Sequence, residues 1–164
     1  MKTKGILALI ALFSLPLYAA EKPTSDEVRK VMDYYKEGSE AILVESRLCV
    51  DIEKSGDDKN ECTETLPDGP LQMGQNAYLW MNYLVPGSDP ATLLVQFKYK
   101  GRALNSDEIR LSNAIRYRTW KTLQTSKSGE WEVNIEQETE SGYTPVGTIS
   151  YIVAEPAADE TPAQ

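Results

Sequence analysis

Hydrophobic and polar residues alternate with a period of two along most of this chain, which is typical of β-strands with one buried face. The alternating runs cover residues 42–52, 77–85, 91–100, 109–120, 130–136 and 146–153, with brief β structure also expected at 102–104. Glycine, proline, asparagine and aspartate separate them, as turns require. The pattern predicts an all-β fold, an antiparallel immunoglobulin-like β-sandwich of about seven strands. A small closed barrel is the alternative.

Finer features of the strands follow from the same alternation. In the first run, Ile42, Val44, Leu48, Val50 and Ile52 are predicted to face the core. The apolar and aromatic run 77–85 is predicted to be a central strand covered on both faces. Short polar turns predict two antiparallel hairpins: 77–85 with 91–100, and the two strands within 113–135.

A different periodicity precedes the strands, in residues 20–38. Thr24 followed by Glu27 has the spacing of a capping box, and Gly38 is a natural end for a helix. An apolar stripe then follows the helical repeat through Val28, Val31, Met32 and Tyr35. We interpret this short amphipathic helix as packing against the following domain, with docking on a partner protein as the alternative.

The two ends of the chain differ from the domain at 39–153. Lys2 and Lys4 precede an apolar run and a small-residue site, so residues 1–19 are predicted to be a signal peptide cleaved after Ala19 or Ala20. The predicted location is therefore periplasmic or secreted, in a bacterium. Residues 154–164 are predicted to be a disordered acidic tail. No later segment is apolar enough to span a membrane, so an integral membrane protein is not expected.

Two cysteines, Cys49 and Cys62, lie in the exported part of the chain and are predicted to form a disulfide. The alternative, a metal or redox site, lacks support because the chain has no histidine and no Cys-x-x-Cys pair. The acidic loop 54–61 raises a calcium site as another alternative, although the EF-hand order of ligands is missing. We therefore predict no metal and no cofactor.

Composition and missing motifs exclude several functions. Removal of Lys2 and Lys4 leaves 15 of the 17 basic residues against 25 acidic residues, a balance that repels nucleic acid and anionic lipid. Without histidine, neither a Ser-His-Asp nor a Cys-His arrangement can form, and no phosphate-binding or dinucleotide motif is present. We predict no catalytic residue. A hydrolase acting on envelope glycan through paired carboxylates is the least favoured interpretation.

The candidate binding residues are Arg116, Arg118 and Trp120. If Ile115 and Tyr117 face the core, strand parity turns these three side chains outward together. Arginine binds carboxylates through two parallel hydrogen bonds, and an exposed indole stacks on ligands. The alternative is that both arginines pair with glutamates of a neighbouring strand, such as Glu130, Glu132 or Glu136. Trp80 and Trp131 are interpreted as core residues.

These observations predict a non-catalytic periplasmic binding or interaction module, whose partner is an envelope protein or glycan. The alternative is a structural or accessory subunit of an envelope complex that docks through the N-terminal helix. The two interpretations differ in which surface they use, the arginine-bearing strand or the helix.

Short motifs also resemble an uncharacterised exported bacterial family, the domain-of-unknown-function family number 2914. The matching features are Leu48-Cys49-Val50-Asp51, the aromatic strand around Trp80, Arg116-Tyr117-Arg118-Thr119-Trp120, Gly129-x-Trp131-x-Val133 and the strand that ends at Val153. The resemblance covers residues 47–153, and the second cysteine departs from the family pattern. It implies an exported immunoglobulin-like sandwich module and implies no activity.

Overall fold

The computed structural model describes residues 22–155, which form one helix and nine strands. The elements are α1 (Ser25–Glu37), β1 (Ile42–Ile52), β2 (Cys62–Thr65), β3 (Leu71–Gln72), β4 (Tyr78–Val85), β5 (Ala91–Tyr99), β6 (Arg102–Leu111), β7 (Ala114–Thr122), β8 (Gly129–Thr139) and β9 (Gly142–Ala154). The predicted signal peptide and residues 156–164 of the predicted tail lie outside the described residues. Ala154, predicted to begin the tail, is the last residue of β9.

The strands form two sheets, which confirms the predicted β-sandwich. One sheet has the order β2-β1-β4-β7 and the other has the order β3-β9-β8-β5-β6. Every pair is antiparallel except β3 with β9, which is parallel. Without the short strands β2 and β3, seven strands remain, three in one sheet and four in the other, which agrees with the predicted number. Neither short strand was among the strands predicted from the sequence.

The main core lies between the two sheets and follows the predicted alternation. Its fully buried side chains include Leu79, Met81 and Tyr83 of β4, Leu93, Val95 and Phe97 of β5, and Trp131, Val133 and Ile135 of β8. Burial raises the pKa of Tyr83 far above the ordinary tyrosine value. The interpretation of Trp131 as a core residue is confirmed.

The two predicted hairpins are wrong, because each pair of strands is divided between the sheets. Strand β4 pairs with β1 and β7, whereas β5 pairs with β6 and β8. Strand β7 pairs with β4, whereas β8 pairs with β5 and β9. The turns that follow β4 and β7 therefore cross from one sheet to the other. Alternation records which face of a strand is buried but not which strand lies beside it.

A β-bulge in β1 changes the predicted inward set. The register with β4 shifts between Leu43 and Glu45, so Val44 points outward and is largely exposed. Leu43 and Leu48 instead pack against the main core. The prediction that Val44 faces the core is therefore wrong. It is also wrong for Ile42, which is 42% exposed, and for Ile52, which is buried in a separate cluster with Cys49 and Trp80.

Helix α1 has the predicted ends but not the favoured packing. The Thr24 side chain accepts from the Glu27 backbone N–H, and the Glu27 carboxylate accepts from the Thr24 backbone N–H at 2.7 Å. No residue of the helix is buried, and Val28 and Val31 are 48% and 49% exposed. The interpretation that the apolar stripe packs on the following domain is therefore wrong for Val28, Val31 and Met32, whereas Tyr35 is half-buried and contacts the domain.

Candidate functional site

The outer face of the β2-β1-β4-β7 sheet carries a second, smaller apolar cluster. Its buried members are Cys49, Ile52 and Trp80, and Trp120 packs against them. Trp80 is only 1% exposed, although it points away from the main core. The cover is residues 53–61, which connect β1 to β2 and are called the disulfide loop below. Strand β4 is therefore covered on both faces, as predicted.

The disulfide predicted between Cys49 and Cys62 is present and ties the two ends of this region together. Cys49 lies within β1 and is completely buried, and Cys62 is the first residue of β2. A structural disulfide is typical of proteins in oxidising, non-cytoplasmic compartments. Between residues 22 and 155 the chain forms no helix with the length and apolar content that crossing a membrane requires.

Asn60 attaches the disulfide loop to the sheet. Its backbone carbonyl accepts from the Trp80 indole N–H at 2.6 Å, and its side-chain oxygen accepts from the Trp120 indole N–H at 3.2 Å. Its side-chain amide donates to the Arg118 carbonyl at 3.3 Å. The residue has a φ of 66°, a conformation that asparagine tolerates better than most residues. One loop residue thus binds both tryptophans of the outer face.

The next residue, Glu61, binds the two candidate arginines. Its Oε1 atom lies 2.5 Å from a guanidinium nitrogen of Arg116 and 2.8 Å from one of Arg118. Arg118 also donates to the Asp57 carbonyl at 3.3 Å. We call Arg116 and Arg118 together the arginine pair. A single carboxylate oxygen therefore joins both members of the pair, through a charge-assisted hydrogen bond from Arg118 and an ion pair with Arg116.

The expected pairing of the arginines with β8 is wrong. Strand β8, which carries Glu130, Glu132 and Glu136, belongs to the opposite sheet. Glu132 instead lies 3.4 Å from Lys98 of β5. The actual partner, Glu61, is separated from the arginine pair by most of the chain's central strands, and no local pattern connects them.

The three candidate residues share one face of β7, but only one of the two neighbours expected to face the core does so. Tyr117 packs against the main core, whereas Ile115 is 54% exposed. The Arg116 side chain is 58% exposed, and that of Arg118 is 21% exposed. Trp120 is half-buried and packs edge-on against Tyr78, with ring centroids 5.3 Å apart. Their role in binding stays a prediction.

An unpaired polar atom lies on the same face. Asn82 of β4 is opposite Arg118 of β7 and opposite Glu45 of β1 in the sheet register. Among the described side chains, its Oδ1 atom is buried without a hydrogen-bond partner. Burying an amide oxygen without a donor is unfavourable by about 1–3 kcal/mol, so such atoms are uncommon in folded proteins.

Metal chemistry finds no support in the described part of the chain. Residues 22–155 contain no group of three or more cysteine, aspartate or glutamate side chains arranged to hold a metal ion. Two acidic residues of the disulfide loop have partners within the protein: Glu53 accepts from Ser55, and Glu61 binds the arginine pair. The Ser55 N–H keeps the pKa of Glu53 below its ordinary value.

Helix α1 provides a second exposed surface. Its last turn is hydrogen-bonded to the sandwich: the Tyr35 hydroxyl donates to Asn113 at 2.6 Å, and the Gly87 N–H donates to the Tyr35 carbonyl at 3.2 Å. We call Val28, Val31 and Met32 the apolar stripe of α1. All three side chains are exposed, so the stripe lies open between residues 28 and 32.

Comparisons with known proteins assign this chain to no family. No protein-family model matches the chain, and no curated protein sequence matches it. Among solved structures, the C-terminal domain of Wzt is 14% identical with a TM-score of 0.44, and the match covers 72% of this chain and 74% of that one. The CARDB domain of PF1109 from Pyrococcus furiosus is 13% identical with a TM-score of 0.35, over 73% and 98% of the two chains. Likenesses at this level indicate no family, ligand or partner.

Proposed function

We propose that this chain is a non-catalytic interaction module of the bacterial periplasm that binds a partner protein through helix α1. The observation that supports the proposal is the apolar stripe of α1, which lies exposed on a helix with complete caps. Of the two interpretations drawn from the sequence, this favours the accessory subunit that docks through its helix. The disulfide supports an oxidising compartment, as the predicted signal peptide does.

The physical argument is that α1 lacks the packing that usually stabilises a helix. Isolated helices shorter than about 12–15 residues are marginal in water, and most helices in proteins owe their stability to burial of an apolar face. Helix α1 has 13 residues, and none of them is buried. A partner groove that covers Val28, Val31 and Met32 supplies the missing burial.

The spacing of the stripe fits recognition of a helix by a groove. In that mode, apolar residues at i, i+3, i+4 and i+7 enter pockets of the partner. Val28, Val31 and Met32 occupy the first three of these positions. The fourth, Tyr35, contacts Asn113 of the sandwich and so fixes the end of α1 to its own domain. The helix is held at one end and presents its other turns to a partner.

Copurification from envelope extracts tests this function. The variant Val28→Ser/Val31→Ser removes apolar surface from the stripe, and Lys30→Ser/Asp33→Ser makes the same number of changes on the opposite face of α1. We expect a protein that copurifies with the wild type and with the control variant but not with the stripe variant. Recovery of the same proteins with all three chains would contradict docking through the stripe.

A further inference from the structure

We propose that the arginine pair is a binding site for a hydroxylated carboxylate, the chemistry of a uronic acid residue in an acidic glycan, and that Glu61 occupies this site as a built-in competitor. The site lies on the outer sheet face and does not use the apolar stripe of α1. This proposal can therefore be tested independently of docking through the helix.

Glu61 shows what the arginine pair recognises. Its Oε1 atom is 2.5 Å from Arg116 and 2.8 Å from Arg118, so a carboxylate oxygen already lies between the two guanidinium groups. Guanidinium groups match carboxylates in shape and in charge. The position of Glu61 Oε1 therefore marks where a ligand carboxylate would bind.

Charge and exposure leave the pair able to accept a ligand. Two guanidinium groups face one carboxylate, so the contact keeps one positive charge in a chain whose net charge is −8. The Arg116 side chain is 58% exposed and meets solvent directly. An incoming carboxylate can therefore reach Arg116 before Glu61 leaves.

Release of Glu61 requires a side-chain rotation and no opening of the disulfide loop. The Glu61 backbone N–H donates to the Asp58 carbonyl at 2.9 Å, and its carbonyl accepts from the Glu53 N–H at 2.8 Å. The adjacent residues Asn60 and Cys62 are fixed by the sheet and by the disulfide. The backbone thus stays in place while the carboxylate turns toward solvent.

The requirement for a hydroxyl group comes from Asn82. Its Oδ1 atom is a buried acceptor without a donor, and Asn82 lies opposite Arg118 on the same sheet face. This atom is closed to solvent while Glu61 occupies the arginine pair, so a ligand hydroxyl can donate to it only if displacement of the Glu61 carboxylate opens this part of the sheet face. Trp120, half-buried beside Arg118, adds an apolar surface on which the C–H groups of a sugar ring can pack. A hydroxylated carboxylate satisfies both kinds of contact.

The test is an NMR titration of the full chain with D-galacturonate. Acetate, which has the carboxylate but no hydroxyl group, and galactose, which has the hydroxyl groups but no carboxylate, are the control ligands. The indole N–H of Trp120 lies at the site and reports binding. The indole N–H of Trp131 donates to the Lys127 carbonyl near the other sheet and serves as the internal reference. Glu61→Gln removes the competing charge, and Glu64→Gln makes the same charge change on β2.

If Glu61 leaves about a tenth of the sites free in the wild type, the apparent affinity is about a tenth of the affinity of a free site. We therefore expect Glu61→Gln to bind galacturonate about tenfold more tightly than the wild type. Glu64→Gln should bind like the wild type. Arg116→Gln added to Glu61→Gln should abolish binding while the Trp131 signal stays in place. Equal affinity of Glu61→Gln and the wild type would overturn the competitor role. Equal affinity for acetate and galacturonate would overturn the hydroxyl contact.

Discussion

Substitution of Asn60 by alanine should strongly destabilise the domain, because this residue attaches the disulfide loop to the outer sheet face. The change removes the side-chain hydrogen bonds to the Trp120 indole and the Arg118 carbonyl. Each contributes about 1 kcal/mol. Alanine also pays about 1 kcal/mol to adopt the positive φ of 66°. The free energy of unfolding should therefore fall by about 3 kcal/mol.

Glycine at the same position separates the two contributions. Asn60→Gly loses the same side-chain hydrogen bonds but adopts positive φ without strain, so its loss should be about 2 kcal/mol. The glycine variant should then be more stable than the alanine variant, the reverse of the usual order in regular structure. The bond from the Trp80 indole to the backbone carbonyl remains available in both.

Equilibrium urea unfolding, followed by tryptophan fluorescence, measures both variants against the wild type. Trp80 and Trp120 are buried or half-buried under the disulfide loop, so their emission reports its attachment. A loss below 0.5 kcal/mol for Asn60→Ala, the usual range for surface changes of roughly that size, would refute the reasoning. An alanine variant more stable than the glycine variant would refute the backbone part.

Three other predictions follow from the same structure. Replacing Cys49 and Cys62 by serine should lower the free energy of unfolding by roughly 3 kcal/mol, the loop entropy for this spacing, and an unchanged urea midpoint would contradict that role. The capping hydrogen bonds with Thr24 hold the pKa of Glu27 below its ordinary value. Helix α1 should therefore keep its N-terminal turn above that ordinary value and lose it as the pH falls through the lowered pKa. The NMR chemical shift of the Thr24 backbone amide measures this change, and Glu27→Gln should already show the altered shift at neutral pH. Burial raises the pKa of Tyr83 and of Tyr151 above the ordinary tyrosine value of about 10. The stabilising contribution of both residues should therefore be complete below that value and fall as the pH rises above it. Thermal unfolding measured on both sides of that value tests this, and an unchanged melting temperature would contradict it.

Features set by neighbouring residues could be predicted from the sequence. The capping box of Thr24 and Glu27 depends on residues three apart, and it forms as predicted. The buried face of β5 depends on alternation within nine residues, and Leu93, Val95 and Phe97 are buried as predicted. The disulfide could be predicted as well, because only two cysteines are present.

Features that depend on distant partners could not be predicted in the same way. A five-residue turn after β4 is compatible both with a hairpin and with a crossing to the other sheet. Alternation in β7 places Arg118 and Trp120 on one face, but nothing local indicates that Asn60 and Glu61 will cover that face. Trp80 is buried as predicted from its apolar strand, but the alternation did not show that it belongs to the cluster on the outer face.

One available signal did point toward Asn60. It is an asparagine in a polar loop, two residues before a cysteine predicted to be bonded. Asparagine is enriched where φ is positive, and a loop closed by a disulfide has a restricted path. Those two facts favour a structural role for Asn60. Only the three-dimensional arrangement identifies the two indoles that it binds.

Site-specific photo-crosslinking tests the central claim, that the apolar stripe of α1 contacts a partner protein, most directly. A photoreactive phenylalanine analogue placed at Val31 lies in the stripe, and the same group at Lys30 lies on the polar face one residue away. Irradiation of intact cells should give one discrete adduct from position 31, with the mass of a second, different protein, and none from position 30. Equal crosslinking from both positions, no adduct from position 31, or an adduct with the mass of two copies of this chain would contradict the account.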